Sequence, residues 1–207
     1  MSARPRTAAI SGFVIAPILV FGLLTPAVPS FAQSTQQASR TFAVPATGLT
    51  FLTGDSWQQS GQTMRLYGVQ ACLRGSTYTD KAGQRQDCGA ISLAMLAAII
   101  RDTAPTCAPV AQLSSRASTS LSSQVSHGVS TILVICSAHV GGHVLDLGTI
   151  LITQGFAFAA LTSSRVPVYP AYAAEEAIAQ NARVGLWAFP DTPHPNRTLL
   201  TGSAGAR

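Results

Sequence analysis

Short β-prone stretches separated by turn residues dominate positions 49–69 of the chain. The turn signals are TGD at residues 53–55 and SGQ at residues 60–62, and polar, glycine-containing segments of this kind separate neighbouring strands. The clearest strand spans residues 64–69. Because successive side chains of a strand point to opposite sides, it places Met64, Leu66 and Gly68 on one face and Arg65, Tyr67 and Val69 on the other. The pattern predicts a β-meander.

Three later segments have the periodicity and capping residues of helices. Asp87 precedes a stripe formed by Ile91, Met95 and Ile99, beside Leu96 and Ile100, which we expect to face the core until Pro105. Residues 147–154 follow the capping residue Asp146, and residues 172–183 are alanine-rich with two glutamates near their start. Residues 106–112 and 129–138 are predicted to be paired strands.

The remaining segments lack a core pattern. Residues 1–32 combine two arginines with an apolar run and a small-x-small end, which is typical of a signal peptide cleaved after Ala32. A membrane anchor is the alternative, but glycine and proline interrupt the run, so no transmembrane segment is expected after cleavage. We predict a flexible lead-in at residues 33–41, an exposed loop at 73–87, a mobile serine-rich loop at 113–128 and a disordered tail at 190–207. One domain, residues 42–189, remains.

Charge gives little support for nucleic-acid binding. Only 10% of the residues are charged, and Lys81 is the single lysine. Removal of residues 1–32 takes away two arginines and no acid, which lowers the formal net charge of +5 by two. A phosphate-binding surface normally needs a dense basic patch, and the sequence has none.

Four cysteines, Cys72, Cys88, Cys107 and Cys136, follow the predicted signal peptide. An even number of cysteines in an exported chain favours disulfides, and no CxxC pair gives the spacing of a zinc site. Three pairings are possible. We favour Cys72–Cys88, which closes a polar loop, and Cys107–Cys136, which joins two predicted strands. The expected location is the periplasm or the medium.

Six short motifs occur in order over residues 48–189: TGDS at 53–56, RLYGVQACL at 65–73, CG at 88–89, VIC at 134–136, DLG through QGFA at 146–157, and ARVGLW at 182–187. The set resembles the thermonuclease (staphylococcal-nuclease-like) family, whose motifs include DGDT, RLxGIDAPE, DLxxxLVxxGLA and AxxxxxGLW. The resemblance implies a β-rich α+β fold, a five-stranded OB-type barrel with three helices.

Few of that family's catalytic residues are present. Its members use two or three carboxylates to hold calcium, a glutamate to activate water and two arginines to stabilise the transition state. By position, Asp55 corresponds to a metal-binding carboxylate and Arg65 to the first arginine. Thr53 and Gln70 stand where the other carboxylates would be, and Leu73 replaces the glutamate. The second arginine has no counterpart, because residues 127–130 are HGVS.

The surviving residues also have structural interpretations. Arg65 can pair with Asp55 or with a backbone carbonyl, and an aspartate in a Gly-Asp-Ser turn is common turn chemistry. Displaced groups are the catalytic alternative: Arg74, Asp80, Asp87 and Arg116. Tyr169 and Tyr172 stand where the family has nucleotide-contacting tyrosines, but we expect Tyr172 to pack against the last helix. His139 and His143 flank a Gly-Gly turn and are the other residues considered as metal ligands.

The resemblance therefore implies an exported pseudoenzyme, a thermonuclease-like binding module without calcium-dependent nuclease activity. No cofactor is expected, except calcium if the site is active. Related periplasmic proteins are associated with exopolysaccharide (succinoglycan) biosynthesis, so the resemblance suggests an envelope polysaccharide or a protein as partner. The alternative function is a periplasmic or secreted nuclease with a rearranged site.

Overall fold

The computed structural model describes residues 41–114 and 130–202. The predicted signal peptide, residues 33–40 of the lead-in, most of the serine-rich loop with Arg116 and the last five residues lie outside this part. All described residues belong to one compact unit, Ala38–Arg207. Within them, no helix has the length and apolar character that a membrane crossing requires.

The described residues form a β-rich α+β fold, as the sequence predicts. The strands are β1 Phe42–Ala43, β2 Thr50–Thr53, β3 Ser56–Gln59, β4 Gln62–Leu66, β5 Val69–Ala71, β6 Thr77–Thr79, β7 Arg85–Asp87, β8 Thr106–Ser114, β9 Ser130–Val140, β10 His143–Asp146 and β11 Ala157–Ala159. The helices are α1 Cys88–Thr103, α2 Leu147–Thr153, α3 Pro170–Ala182 and α4 Pro195–Gly202, with a 3-10 turn at Gly185–Ala188.

Seven of the described strands form one curled, half-barrel sheet in the order β1-β8-β9-β4-β3-β2, and β10 also pairs with β9. The predicted meander is the antiparallel run β2-β3-β4. The long strand β9 lies parallel to β4 and antiparallel to β8. The predicted strand number of five is too low because β1 and β10 extend this sheet, while β5–β11 and β6–β7 form separate pairs.

Helix α1 closes one side of the core. Asp87 caps it, since its Oδ1 accepts a hydrogen bond from the Ala90 N–H at 3.0 Å. The most buried positions are Ser92, Leu96 and Ile100, whereas the predicted stripe Ile91, Met95 and Ile99 is only partly buried. The predicted face does pack against the core, with Leu96 and Ile100 at its centre, and Ser92 adds a hydrogen bond of 2.7 Å to the Phe156 carbonyl.

Two predictions about irregular segments are wrong. Residues 73–87, expected to be an exposed loop, contain the β6–β7 hairpin, in which Tyr78 is buried. The tail expected to be disordered from residue 190 is ordered through residue 202 and contains α4, a fourth helix where three were predicted. Proline is suited to the first helical position, so Pro195 begins α4 instead of preventing it.

The favoured disulfide pairing is confirmed. Cys72 bonds Cys88 and Cys107 bonds Cys136, with Cα–Cα distances of 5.6 and 4.0 Å. Cys107 and Cys136 are directly opposite each other on β8 and β9, and all four cysteines are buried. Stable disulfides are typical of proteins that fold in an oxidising compartment.

Candidate functional site

The sequence-predicted site residues meet at one cleft of about 390 Å³. It lies beside the β2–β3 turn, the adjacent part of β4 and the segment that follows β5. Its described lining comprises the five positions that the resemblance singles out, the displaced candidate Arg74 and three neighbours: Thr53, Asp55, Ser56, Arg65, Gln70, Ala71, Cys72, Leu73 and Arg74. The structure thus brings together residues that are up to 21 positions apart in the sequence.

Asp55 is held in the turn between β2 and β3. Its Oδ1 accepts a hydrogen bond from the Thr53 hydroxyl, which also bonds the Ser56 hydroxyl. The turn packs directly on helix α1, because a Cβ added at Gly54 would lie 2.5 Å from the Cβ of Ser92. Only glycine fits this approach, and the contact leaves Asp55 2% exposed.

Arg65 provides the charge that accompanies the buried carboxylate. It lies on β4 directly opposite Ser56 on β3, and its Nε donates to the Asp55 Oδ2 at 3.0 Å. The Arg65 side chain is 40% exposed and that of Asp55 is 3% exposed. Arg65 therefore neutralises Asp55 while part of its side chain remains open to solvent.

Gln70 and Leu73 complete the side of the cleft where the resemblance places a carboxylate and a general base. The Gln70 Oε1 accepts from the Arg65 Nη2 at 3.1 Å, and the Gln70 Nε2 donates to the Ala71 carbonyl at 2.9 Å. Leu73 is half-buried. A neutral amide adds no charge for a metal, and an aliphatic side chain can accept no proton from water.

The segment that carries Leu73 is fixed to helix α1. The Cys72–Cys88 disulfide joins the segment to the first residue of α1. A Cβ added at Gly89 would lie 2.6 Å from the Arg74 backbone nitrogen, so the helix and the segment touch through their backbones. These constraints hold Leu73 in the cleft lining.

The acids considered as replacements are occupied elsewhere. Asp80 accepts backbone N–H groups from Ala82 and Gln84, both at 2.9 Å, and hydrogen bonds from Gln84 and Gln86 lower its pKa. Partial burial raises the pKa of Asp87, but backbone N–H groups of Ala90 and Gly75 and the charge of Arg74 outweigh it. Both carboxylates thus shape the hairpin and the helix cap instead of lining the cleft.

Tyr172 supports the structure behind the site. It is 3% exposed on α3 and donates a hydrogen bond of 2.6 Å to the Asp146 Oδ1. The same carboxylate oxygen accepts the Thr149 N–H at 2.7 Å and thereby caps α2. Burial, reinforced by Asp146, raises the pKa of Tyr172, so its hydroxyl remains a donor. Tyr172 therefore joins α2 to α3; it does not pack against the last predicted helix, because it belongs to that helix and points toward Asp146 and Gly148.

The chemistry of the cleft follows from this arrangement. Among its described lining residues, two arginines accompany the single carboxylate of Asp55. No group of three or more histidine, cysteine or acidic side chains that could hold a metal occurs within residues 41–114 and 130–202. The prediction did not single out Ser56 as a site residue; the register of β3 and β4 places it opposite Arg65. A comparison with protein-family models finds no match, and neither does a comparison with curated proteins.

Proposed function

We propose that the chain is an exported, thermonuclease-like binding module that does not cleave phosphodiesters with calcium. The observation that carries the proposal is that both carboxylate oxygens of Asp55 already accept hydrogen bonds from other side chains. Its two oxygens receive Thr53 and Arg65, and no second acid accompanies it in the described lining. Calcium prefers six to eight oxygen ligands with carboxylates among them, which this lining cannot supply.

Leu73 supports the same proposal, because it cannot activate the water that would attack the phosphodiester. Phosphodiester hydrolysis needs a positioned acceptor for the proton of water. The disulfide and the Gly89 contact hold Leu73 in the cleft lining, and by the resemblance this sequence position would carry the acceptor. Loss of one transition-state donor alone costs on the order of a hundredfold in rate, so the combined losses leave negligible catalysis.

The architecture supports the thermonuclease-like part of the proposal. The meander β2-β3-β4 is followed by helix α1 and by β8 and β9, which return to the same curled sheet. This order is compatible with the OB-type barrel that the resemblance implies. Two disulfides support export to the periplasm or the medium. The resemblance makes an envelope polysaccharide or a protein the expected partner.

The test is an activity measurement with calcium. The exported, oxidised protein is incubated with plasmid and with single-stranded DNA, in millimolar calcium and in chelator, beside its Arg65→Ala variant. We expect both forms to leave the DNA intact. Calcium-dependent cleavage by the wild-type protein that Arg65→Ala abolishes would overturn the proposal and establish the rearranged nuclease.

A further inference from the structure

A second, larger cavity, lined by a different set of residues, lies where the end of α3 meets α4. Its volume is about 710 Å³, within the range of roughly 300–1,000 Å³ typical of small-molecule sites. Residues from the end of α3, the 3-10 turn, the segment at 189–194 and α4 line it. It exists because residues 190–202 are ordered against the domain.

One wall of this cavity is aromatic. Trp187 packs edge-on against Phe158, with ring centroids 5.3 Å apart, and lies 5.8 Å from the ring of His194. The wall is rigid, because His194 also packs on Phe158 at 4.9 Å and its Nε2 contacts the Glu176 Oε1 at 2.7 Å. A fixed indole ring offers a flat apolar surface on which a ring-shaped ligand can stack.

The charged side chains of the lining favour an anion. Arg183 and Arg197 both line the cavity, and the Arg183 side chain has no ion-pair partner within the described residues. Asp191 is the one acid among the described lining residues, and its Oδ2 already accepts the Thr79 N–H at 2.9 Å. This hydrogen bonding lowers the pKa of Asp191, which is therefore ionised and turned toward β6.

We propose that this cavity binds a small organic acid built on a ring, with the ring against Trp187 and the acidic group at Arg183. Guanidinium groups bind carboxylates through two parallel hydrogen bonds, and the aromatic wall supplies the apolar contact. A uronic acid and a cyclic carboxylic acid share this chemistry. The inference goes beyond the proposed function, because none of these residues lies in the Asp55 cleft.

The two tryptophans allow a direct test. Trp57 is completely buried in the core, whereas Trp187 lines the cavity and its Nε1–H has no partner among the described residues. The indole N–H resonances of the ¹⁵N-labelled, oxidised exported protein are followed by NMR. The probes are cyclohexanecarboxylate and glucuronate, with cyclohexylmethanol, glucose and acetate as matched compounds that lack either the charge or the ring. Trp187→Phe assigns the two resonances.

We expect at least one ring acid to shift the Trp187 resonance saturably and to leave the Trp57 resonance in place, with weaker or no effect from the matched compounds. Binding of glucuronate would indicate a sugar acid as the ligand, and binding of cyclohexanecarboxylate would indicate a carbocyclic acid. No shift with either ring acid at about 10 mM, or equal shifts with the neutral compounds, would overturn the proposal.

Arg183 supplies the decisive variant. It has a left-handed backbone with φ of 53°, a conformation that asparagine tolerates, so Arg183→Asn should fold. We expect it to weaken binding on the order of tenfold or more, because a charge-assisted contact is lost. Arg165, with φ of 64° in an exposed turn outside the cavity lining, provides the matched control Arg165→Asn, which should bind normally. Unchanged affinity in Arg183→Asn would contradict the assignment, whatever the nuclease assay shows.

Discussion

A buried charge is costly unless hydrogen bonds and an opposite charge replace its hydration. Asp55 meets this condition within its own neighbourhood, because Thr53 and Arg65 occupy its two oxygens. Arg65 is in turn bonded to Gln70. Removal of Asp55 would leave this arginine without its ion pair. Asp55 is therefore part of a hydrogen-bonded group that joins the β2–β3 turn to β4.

The first prediction is that Asp55→Asn lowers the free energy of unfolding by about 1–3 kcal/mol, because a buried charge-assisted hydrogen bond is weakened. Urea denaturation measures the change. The matched control is Asp102→Asn, which removes the partner of Arg101 from a pair whose side chains are 64% and 62% exposed. Exposed pairs contribute little, so this control should behave like wild type. Equal effects in the two variants would contradict the structural role of Asp55.

The contacts of individual site residues could be predicted where they depend only on nearby residues in the sequence. A Gly-Asp-Ser turn and strand alternation were sufficient to suggest that Arg65 could pair with Asp55. The hydroxyl of Ser56 was missed because its contact depends on how tightly the turn closes. The engagement of Asp80 and Asp87 depends on the β6–β7 hairpin, and a polar segment with several glycine and aspartate residues does not reveal that hairpin.

At the scale of elements, the tail shows how a long-range contact overrides local composition. Three prolines between residues 190 and 195 suggested disorder. However, Asn196 is 7% exposed, and its Nδ2 donates at 2.8 Å to the Ala159 carbonyl on β11. The neighbouring N–H of Ala159 donates at 2.7 Å to the Glu176 Oε2 on α3. Ala159, 37 positions before Asn196, therefore joins the end of β11 to the middle of α3 and to the start of α4.

The second prediction concerns this junction. Asn196→Ala should lower the free energy of unfolding by about 1–3 kcal/mol, because a buried hydrogen bond is lost. Hydrogen exchange should show faster exchange of the α4 amides. Asn181→Ala, at an exposed position near the end of α3, is the control and should change neither quantity. If Asn196→Ala leaves both stability and exchange unaltered, α4 is not anchored by this contact.

For the whole molecule, the sequence identified the main strands and helices but not the complete sheet. Alternation and capping are local signals, so the meander and the predicted helices could be located. The parallel pairing of β4 with β9 joins residues nearly 70 positions apart, such as Thr63 and Thr131, and no local pattern reports it. The cysteines were the exception. Cys107 and Cys136 fall on predicted neighbouring strands, which made one of the three pairings preferable.

The last prediction tests the two covalent links that hold this sheet and the cleft. Cys107–Cys136 closes a separation of 29 residues and Cys72–Cys88 one of 16. Since a disulfide restricts the unfolded chain more as its loop lengthens, replacing either pair by alanines should cost about 3 kcal/mol, and slightly more for Cys107–Cys136. Urea denaturation of the two double variants gives these values, and we expect the reduced wild-type protein to be less stable than either variant.

Because Cys72 lines the cleft and Cys107 does not, only the Cys72/Cys88 variant should also loosen the Leu73 segment, measured as faster amide exchange at residues 73–75. Two results would contradict these assignments: unchanged amide exchange at residues 73–75 in the Cys72/Cys88 variant, and unchanged stability in the Cys107/Cys136 variant.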